Sequence, residues 1–166
     1  QERKEAEVSP DQLLMVDTCW SLTSALGIVD ILWASNIQAL HLLEALRSGE
    51  PRRLCKALIM DTVYLASPND RKRKQVHRIM KQTKDIVDRF DDDYLRAVYL
   101  MGEGFHAYID SNWIKAVEKF EASEQLFLTQ QIRTHLMLTQ TRGHSCTALL
   151  LMGRWNRYRK LVPAYL

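Results

Sequence analysis

Breaks in an otherwise helical sequence fall near Ile28, Asn69, Ser111 and Gly153, and so recur every 41 to 42 residues or so. A fixed period of that length means that one small unit is repeated, because a unit too small to bury its own apolar face must stack on copies of itself. Only six glycines and four prolines interrupt the 166 residues, a scarcity that suits long helices and short turns. The chain therefore reads as all-α. It is expected to form about four antiparallel helical hairpins over residues 9–48, 50–90, 91–127 and 129–166, after a charged lead-in of residues 1–8 that serves as a linker from a preceding region.

Local signals place the helices. Ser9-Pro10-Asp11 opens the first with a capping hydroxyl and Pro at the first helical position. Leu13, Leu14, Val16, Trp20 and Ser24 then keep helical spacing to about Leu26, and Gly27 ends it. The second, about Asp30 to Leu46, carries Leu32, Trp33, Asn36, Ile37, Leu40, Leu43 and Leu46. So wide an apolar stripe predicts a helix buried between neighbours. Ser48-Gly49-Glu50-Pro51 stops that helix and starts the third, which runs from about Arg52 to Ala66. After Ser67-Pro68-Asn69-Asp70 the fourth runs from Arg71 to about Phe90, with Val76, Ile79, Met80, Ile86, Val87 and Phe90 inward. Asp91-Asp92-Asp93 opens the fifth, where carboxylates suit the partial positive charge of a helix N-terminus. The sixth ends near Phe127, the seventh spans about Thr129 to Met152, and the eighth begins at Arg154-Trp155.

Between Tyr94 and Phe127 the order Gly104, Trp113, Ala116, Phe120 alternates small and large residues across the turn at Asp110-Ser111-Asn112. Small residues let two helices touch at their crossing while aromatics fill the flanks, which is the tetratricopeptide-like pattern. Stepping by 42 from Gly104 reaches Thr62 and Cys146, both small, and the same step from Trp113 reaches Trp155. In the first hairpin the corresponding position is Trp20, so that pair is expected to pack differently. The expected architecture is one right-handed α-α superhelix.

Cys19-Trp20, Asp30, the run Leu42-Leu43-Glu44-Ala45-Leu46-Arg47-Ser48-Gly49-Glu50-Pro51 and Ala57-Leu58 resemble the helical C-terminal region of large bacterial serine/threonine protein kinases. In that family a kinase domain is followed by a nucleotide-binding ATPase module and then tetratricopeptide-like repeats. The resemblance implies a scaffold within a larger signalling protein, whose activity lies elsewhere in the parent chain. Glu103 and Ala107 stand where the strict repeat consensus has a leucine and a tyrosine. Gln1 at the start and an apolar helical pattern running through Tyr165-Leu166 at the end likewise read as a segment of something longer.

The chemistry of catalysis is not foreshadowed. Gly102-Glu103-Gly104 is the only G-x-G, sits in mid-helix and follows no strand, and a Walker-type GKS or GKT is lacking, so no ATP or other cofactor site is expected. His77, His106, His135, His144 and Cys146 are the conceivable metal ligands, but His144 and Cys146, two residues apart on a helix, cannot face one ion. Ser145 has no base at useful spacing. Cys19, Cys55 and Cys146 are odd in number and widely spaced, which predicts free thiols in a reducing cytoplasm. No apolar run reaches the roughly 18 to 20 residues that span a bilayer.

Two surfaces remain as candidates. Arg71-Lys72-Arg73-Lys74, continued by Arg78 and Lys81, opens a helix where cations oppose the dipole. It is either a solvated face paired with acidic neighbours or a contact for an acidic surface, and a net charge of +3 argues against nucleic acid. By the tetratricopeptide resemblance, the concave face would be lined by Lys56, Ile59 and Val63, by Val98, Met101, Phe105 and Tyr108, and by Gln140, Gly143 and Thr147. Such a lining suits an extended or helical peptide, although Phe105 and Tyr108 read equally well as core. The functional expectation is a non-catalytic scaffold that binds a protein, a peptide or another domain of its own chain. The alternative is a basic helical domain on nucleic acid or another acidic surface in a transcriptional or signalling regulator. The stripe Trp155, Tyr158, Val162, Tyr165 offers a route to self-association.

Overall fold

The computed structural model describes residues 2–66, 70–129 and 135–165, without the side chains of Asp70 and Ala164. The described residues are all-α. They divide into two compact units, residues 1–91 and 92–166, at the joint between the second and third expected hairpins. Each unit holds two of the expected hairpins.

The first unit contains α1 (Pro10–Leu26), α2 (Ile31–Ser48), α3 (Pro51–Leu65) and α4 (Asp70–Val87). Each helix packs on the next, and α1 also touches α3. The Ser9 and Gly49 caps are those the sequence called for, and Asp30 and Glu50 add two more. Ser9 accepts a hydrogen bond from the Gln12 N–H, Asp30 from those of Leu32 and Trp33, and Glu50 from those of Arg52 and Arg53. Gly49 ends α2 at φ 69°, a left-handed conformation that glycine adopts without steric cost. Residues 2–8 are not a free linker. A short 3-10 turn at Glu5–Glu7 sets Val8 into the core at 5% exposure, and the Arg3 N–H donates to the Gly49 carbonyl.

The second unit contains α5 (Asp93–Ile109), α6 (Trp113–Thr129), α7 (His135–Leu151) and α8 (Trp155–Tyr165), packed in order, with α5 also touching α7. Asp92 caps α5 by accepting from the Leu95 N–H. The expected start of α7 near Thr129 falls partly on residues 130–134, outside the described residues, as does the turn at Asn69.

Repetition is visible in the turns. At the end of α5 the N–H groups of residues 110, 111 and 112 donate to the carbonyls of 106, 108 and 107. At the end of α7 those of 152, 153 and 154 donate to 148, 150 and 149, the same pattern 42 residues later. The pivots Ser111 and Gly153 both have positive φ, 59° and 67°. The α1–α2 turn is built differently: Gly27 stays right-handed at φ −57° and the Asp30 N–H reaches back to the Leu26 carbonyl.

At the centre of the second unit a Cβ on Gly104 would lie 2.7 Å from the Phe120 ring. The close approach is therefore glycine against an aromatic face, with Ala116 and Phe120 fully buried, rather than small residue against small. Trp113 packs edge-on against Tyr108, ring centres 5.0 Å apart. Trp155 does not repeat this role and is 60% exposed. The residue 42 after Tyr108 is Leu150, which has no ring to receive it.

Candidate docking surface

The concave lining carried over from tetratricopeptide arrays is mostly interior. Ile59, Val98 and Met101 are at or below 1% exposure and Gln140 is at 7%. The reason is geometric: α3 has α1, α2 and α4 around it, and α5 has α6 and α7, so positions beside the packing stripe are covered as well. Lys56 is held inside its unit, with Nζ 3.7 Å from Asp17 and 5.5 Å above the Trp20 ring. Phe105 and Tyr108 surround His144 edge-on, at 4.7 and 5.4 Å, so both pack toward the core. Val63 is half-buried, and only Gly143 and Thr147 are exposed.

Unit one has a polar interior that the sequence pattern hid. Arg53 makes a two-pronged pair with Asp17, Nε at 3.0 Å and Nη2 at 2.8 Å, and also meets Glu5 and Glu50. Beside it His41, fully buried, shares its Nδ1 proton with Gln38 Oε1 at 3.1 Å, and Gln38 Nε2 donates to the Ala57 carbonyl at 2.9 Å. The Nε2 of His41 has no partner among the described residues. Burial, reinforced by the Lys56 charge and opposed by Asp17, pulls the imidazole down to about 4, so it is neutral at physiological pH. Burial also lowers Lys56 from the ordinary lysine value, with Asp17 opposing.

The second unit has a comparable cluster. Glu124, 7% exposed, accepts from Arg142 Nε at 2.8 Å and from the Tyr165 hydroxyl at 3.1 Å, while the Arg142 guanidinium lies 4.6 Å over the Tyr165 ring. Burial and then Glu124 push the Tyr165 phenol up to about 12. Tyr158 packs on the core of Val117, Ala148 and Leu149. Of the stripe proposed for self-association, Trp155 alone is exposed, Val162 being half-buried. An open groove of about 890 Å³ runs between α6 and the α7–α8 turn, with Ile114, Val117, Leu149, Met152 and Trp155 flanked by Glu118, Glu121, Arg154 and Arg157. Arg157 pairs with Glu121 across it.

Apart from the His41 Nε2, the polar groups of these two buried clusters pair with one another. The Cys19 and Cys146 thiols are raised by burial, which keeps them protonated rather than nucleophilic. His144, among Phe105, Tyr108 and Phe120, has Nδ1 2.7 Å from the Gln140 carbonyl and is a packing residue. Asp92 serves as a cap.

The surface that stands out lies on α2, where the sequence reading is overturned. The helix buries Ala34, Gln38, His41, Ala45 and Ser48, which recur at helical spacing and are small or polar. Most of its large apolar residues face outward: Leu32 is 76% exposed, Trp33 64%, Leu46 55%, and Leu40 and Leu43 44% each, while Leu42 packs on the core. At 100° per residue the two sets occupy opposite sides of the helix. The small inner face lets α2 approach α1 and α3 closely, with Trp20 of α1 filling space beside His41 at 5.9 Å. Leu14, Met15 and Leu22 on α1 and Ile28, Val29 and Ile31 at the turn are likewise exposed. The basic residues Arg71, Lys72, Arg73, Lys74 and Arg78 are all exposed on α4.

No family model, curated protein or solved structure matches the chain. The likeness to kinase C-terminal regions rests on the residues quoted above.

Proposed function

We propose that the chain is a non-catalytic docking scaffold that binds a protein or peptide segment through the outer face of the α1–α2 hairpin. The observation that carries this reading is the inverted α2, with Leu32, Trp33, Leu40, Leu43 and Leu46 outward and small or polar residues inward. An apolar surface of that extent marks an interaction site. The row Trp33, Leu40, Leu43 follows the i, i+7, i+10 spacing at which one helix receives another. A tetratricopeptide-like arrangement is supported by the 42-residue repeat of the turn geometry and by the α1–α3 and α5–α7 contacts. The setting within a larger signalling protein, a serine/threonine kinase in the family it resembles, follows from the resemblance alone.

A synthetic amphipathic helix with a leucine stripe and a glutamine polar face tests the reading. Titrated against the labelled peptide, the native chain should bind in the micromolar range, and Leu40→Glu/Leu43→Glu should remove binding while leaving the circular dichroism melt unchanged. Equal binding by native and variant chains would refute the hairpin face as the docking site.

A further inference from the structure

α4 is amphipathic in a one-sided way. Val76, Met80, Thr83 and Val87 face inward, and between residues 71 and 84 there are seven Lys and Arg and no acidic residue. Lys72, Lys74, Arg78 and Lys81 are exposed and make no ion pair among the described residues. The first two stand in the opening turn, where cations oppose the helix dipole. Lys84 pairs with Asp88, whereas the charges of Lys72, Lys74, Arg78 and Lys81 point to solvent.

Its position gives it a use. The Thr62 hydroxyl meets Met80 and the Cys55 thiol meets the Thr83 carbonyl, so α3 and α4 run antiparallel, with the last turn of α3 beside Met80 and the opening turns of α4 extending beyond it at that end. The α1–α2 turn abuts that same turn of α3, since a Cβ on Gly27 would lie 3.3 Å from the Tyr64 hydroxyl. One end of the first unit thus presents both the basic turns of α4 and an apolar knob. The knob consists of Ile28, Val29, Ile31, Leu32 and Trp33, exposed by 59 to 83%.

We infer that this end of the first unit docks an acidic amphipathic protein segment, with apolar side chains on the Ile28–Trp33 knob and carboxylates on Lys72, Lys74 and Arg78. The inference rests on the docking function proposed above and names the chemistry of its partner. The charge complementarity is supplied by α4. A protein segment is favoured over a lipid or phosphate surface by Asp30, whose capping carboxylate sits in the middle of the knob. Inserting that carboxylate among acyl chains is costly, and it repels a phosphate backbone. A protein segment can instead keep its own carboxylates away from Asp30, over α4, and leave water above the Asp30 carboxylate.

Three helical peptides sharing one leucine stripe, with polar faces of glutamate, glutamine or lysine, separate the outcomes. At low salt the glutamate peptide should bind about tenfold tighter than the glutamine peptide, as expected for two or three exposed ion pairs, and the lysine peptide should bind weakest. Lys72→Glu/Lys74→Glu/Arg78→Glu should reverse that order with a circular dichroism melt unchanged or slightly raised, since carboxylates suit the start of α4, and about 0.5 M salt should erase it. Binding of the glutamine peptide with no preference between glutamate and lysine would overturn the inference and leave the docking function standing. Failure of the glutamine peptide to bind at all would overturn both. Tighter binding of phosphatidylglycerol vesicles or of an oligonucleotide than of the glutamate peptide, lost in the charge-reversed variant, would replace the acidic segment by that ligand.

Discussion

Gly104 and His41 show at the residue scale how unevenly the sequence discloses its constraints. Gly104 is legible because an unexplained glycine in a helix, followed by Ala116 and Phe120 at packing distance, has few meanings. Its Cβ position is filled by a Phe120 ring that is itself fully buried against Phe105 at 5.3 Å. Gly104→Ala should therefore destabilise by about 1 to 3 kcal/mol through overpacking, despite a gain of about 1 kcal/mol in helix propensity. Urea unfolding measures it. Gly153→Ala should cost about 1 kcal/mol because φ is positive there, whereas Ser111→Gly should be neutral or stabilising, both read from thermal melts. His41 is illegible because a polar residue is assigned outward by pattern, and only the structure shows its hydrogen bond to Gln38. Its folded value of about 4 lies below the ordinary 6.5. The unfolded chain thus takes up the proton first as pH falls, and stability present above pH 6.5 is lost between 6.5 and 4. The loss is on the order of 3 kcal/mol over that window. His41→Leu should flatten that part of the stability profile in urea titrations at pH 7, 5.5 and 4.5.

At the scale of elements, helix positions followed from caps and turns, because Ser9, Asp30, Gly49, Glu50 and Asp92 each satisfy a backbone group that only a helix end leaves open. Which face each helix buries was less legible. For α4 the apolar positions Val76, Met80 and Val87 are inward as their periodicity implies. For α2 periodicity pointed the wrong way, since volume at the contact, set by Ala34, Ala45 and Ser48, outweighed the hydrophobicity of the leucines. The groove lining failed for a related reason: a resemblance transfers the order of helices but not how many neighbours surround each one. Trp113 and Tyr108 form one edge-on pair at the α5–α6 turn. Truncation of either to alanine should lower stability by about 2 to 4 kcal/mol in urea unfolding. A Tyr108→Ala chain with unchanged stability would remove that residue from the core.

At the scale of the whole molecule, the 42-residue period announced repeated hairpins, but no sequence signal announced the division at residues 91 and 92. The joint there, capped by Asp92, reads like every other joint in the chain. Each unit has its own core, Val16, Ala45 and Ala57 in one and Val117, Ala148 and Leu149 in the other. Residues 92–166 expressed alone should accordingly retain helical circular dichroism and a cooperative melt. The exposed face of α2 belongs to this scale too, because the proposed docking depends on its large apolar side chains staying in water. The most direct test is urea unfolding of Leu40→Gln/Leu43→Gln beside the native chain. An outward α2 face predicts a change within about 0.5 kcal/mol per substitution, and a loss above about 2 kcal/mol per site would place those leucines in the core and contradict the docking surface.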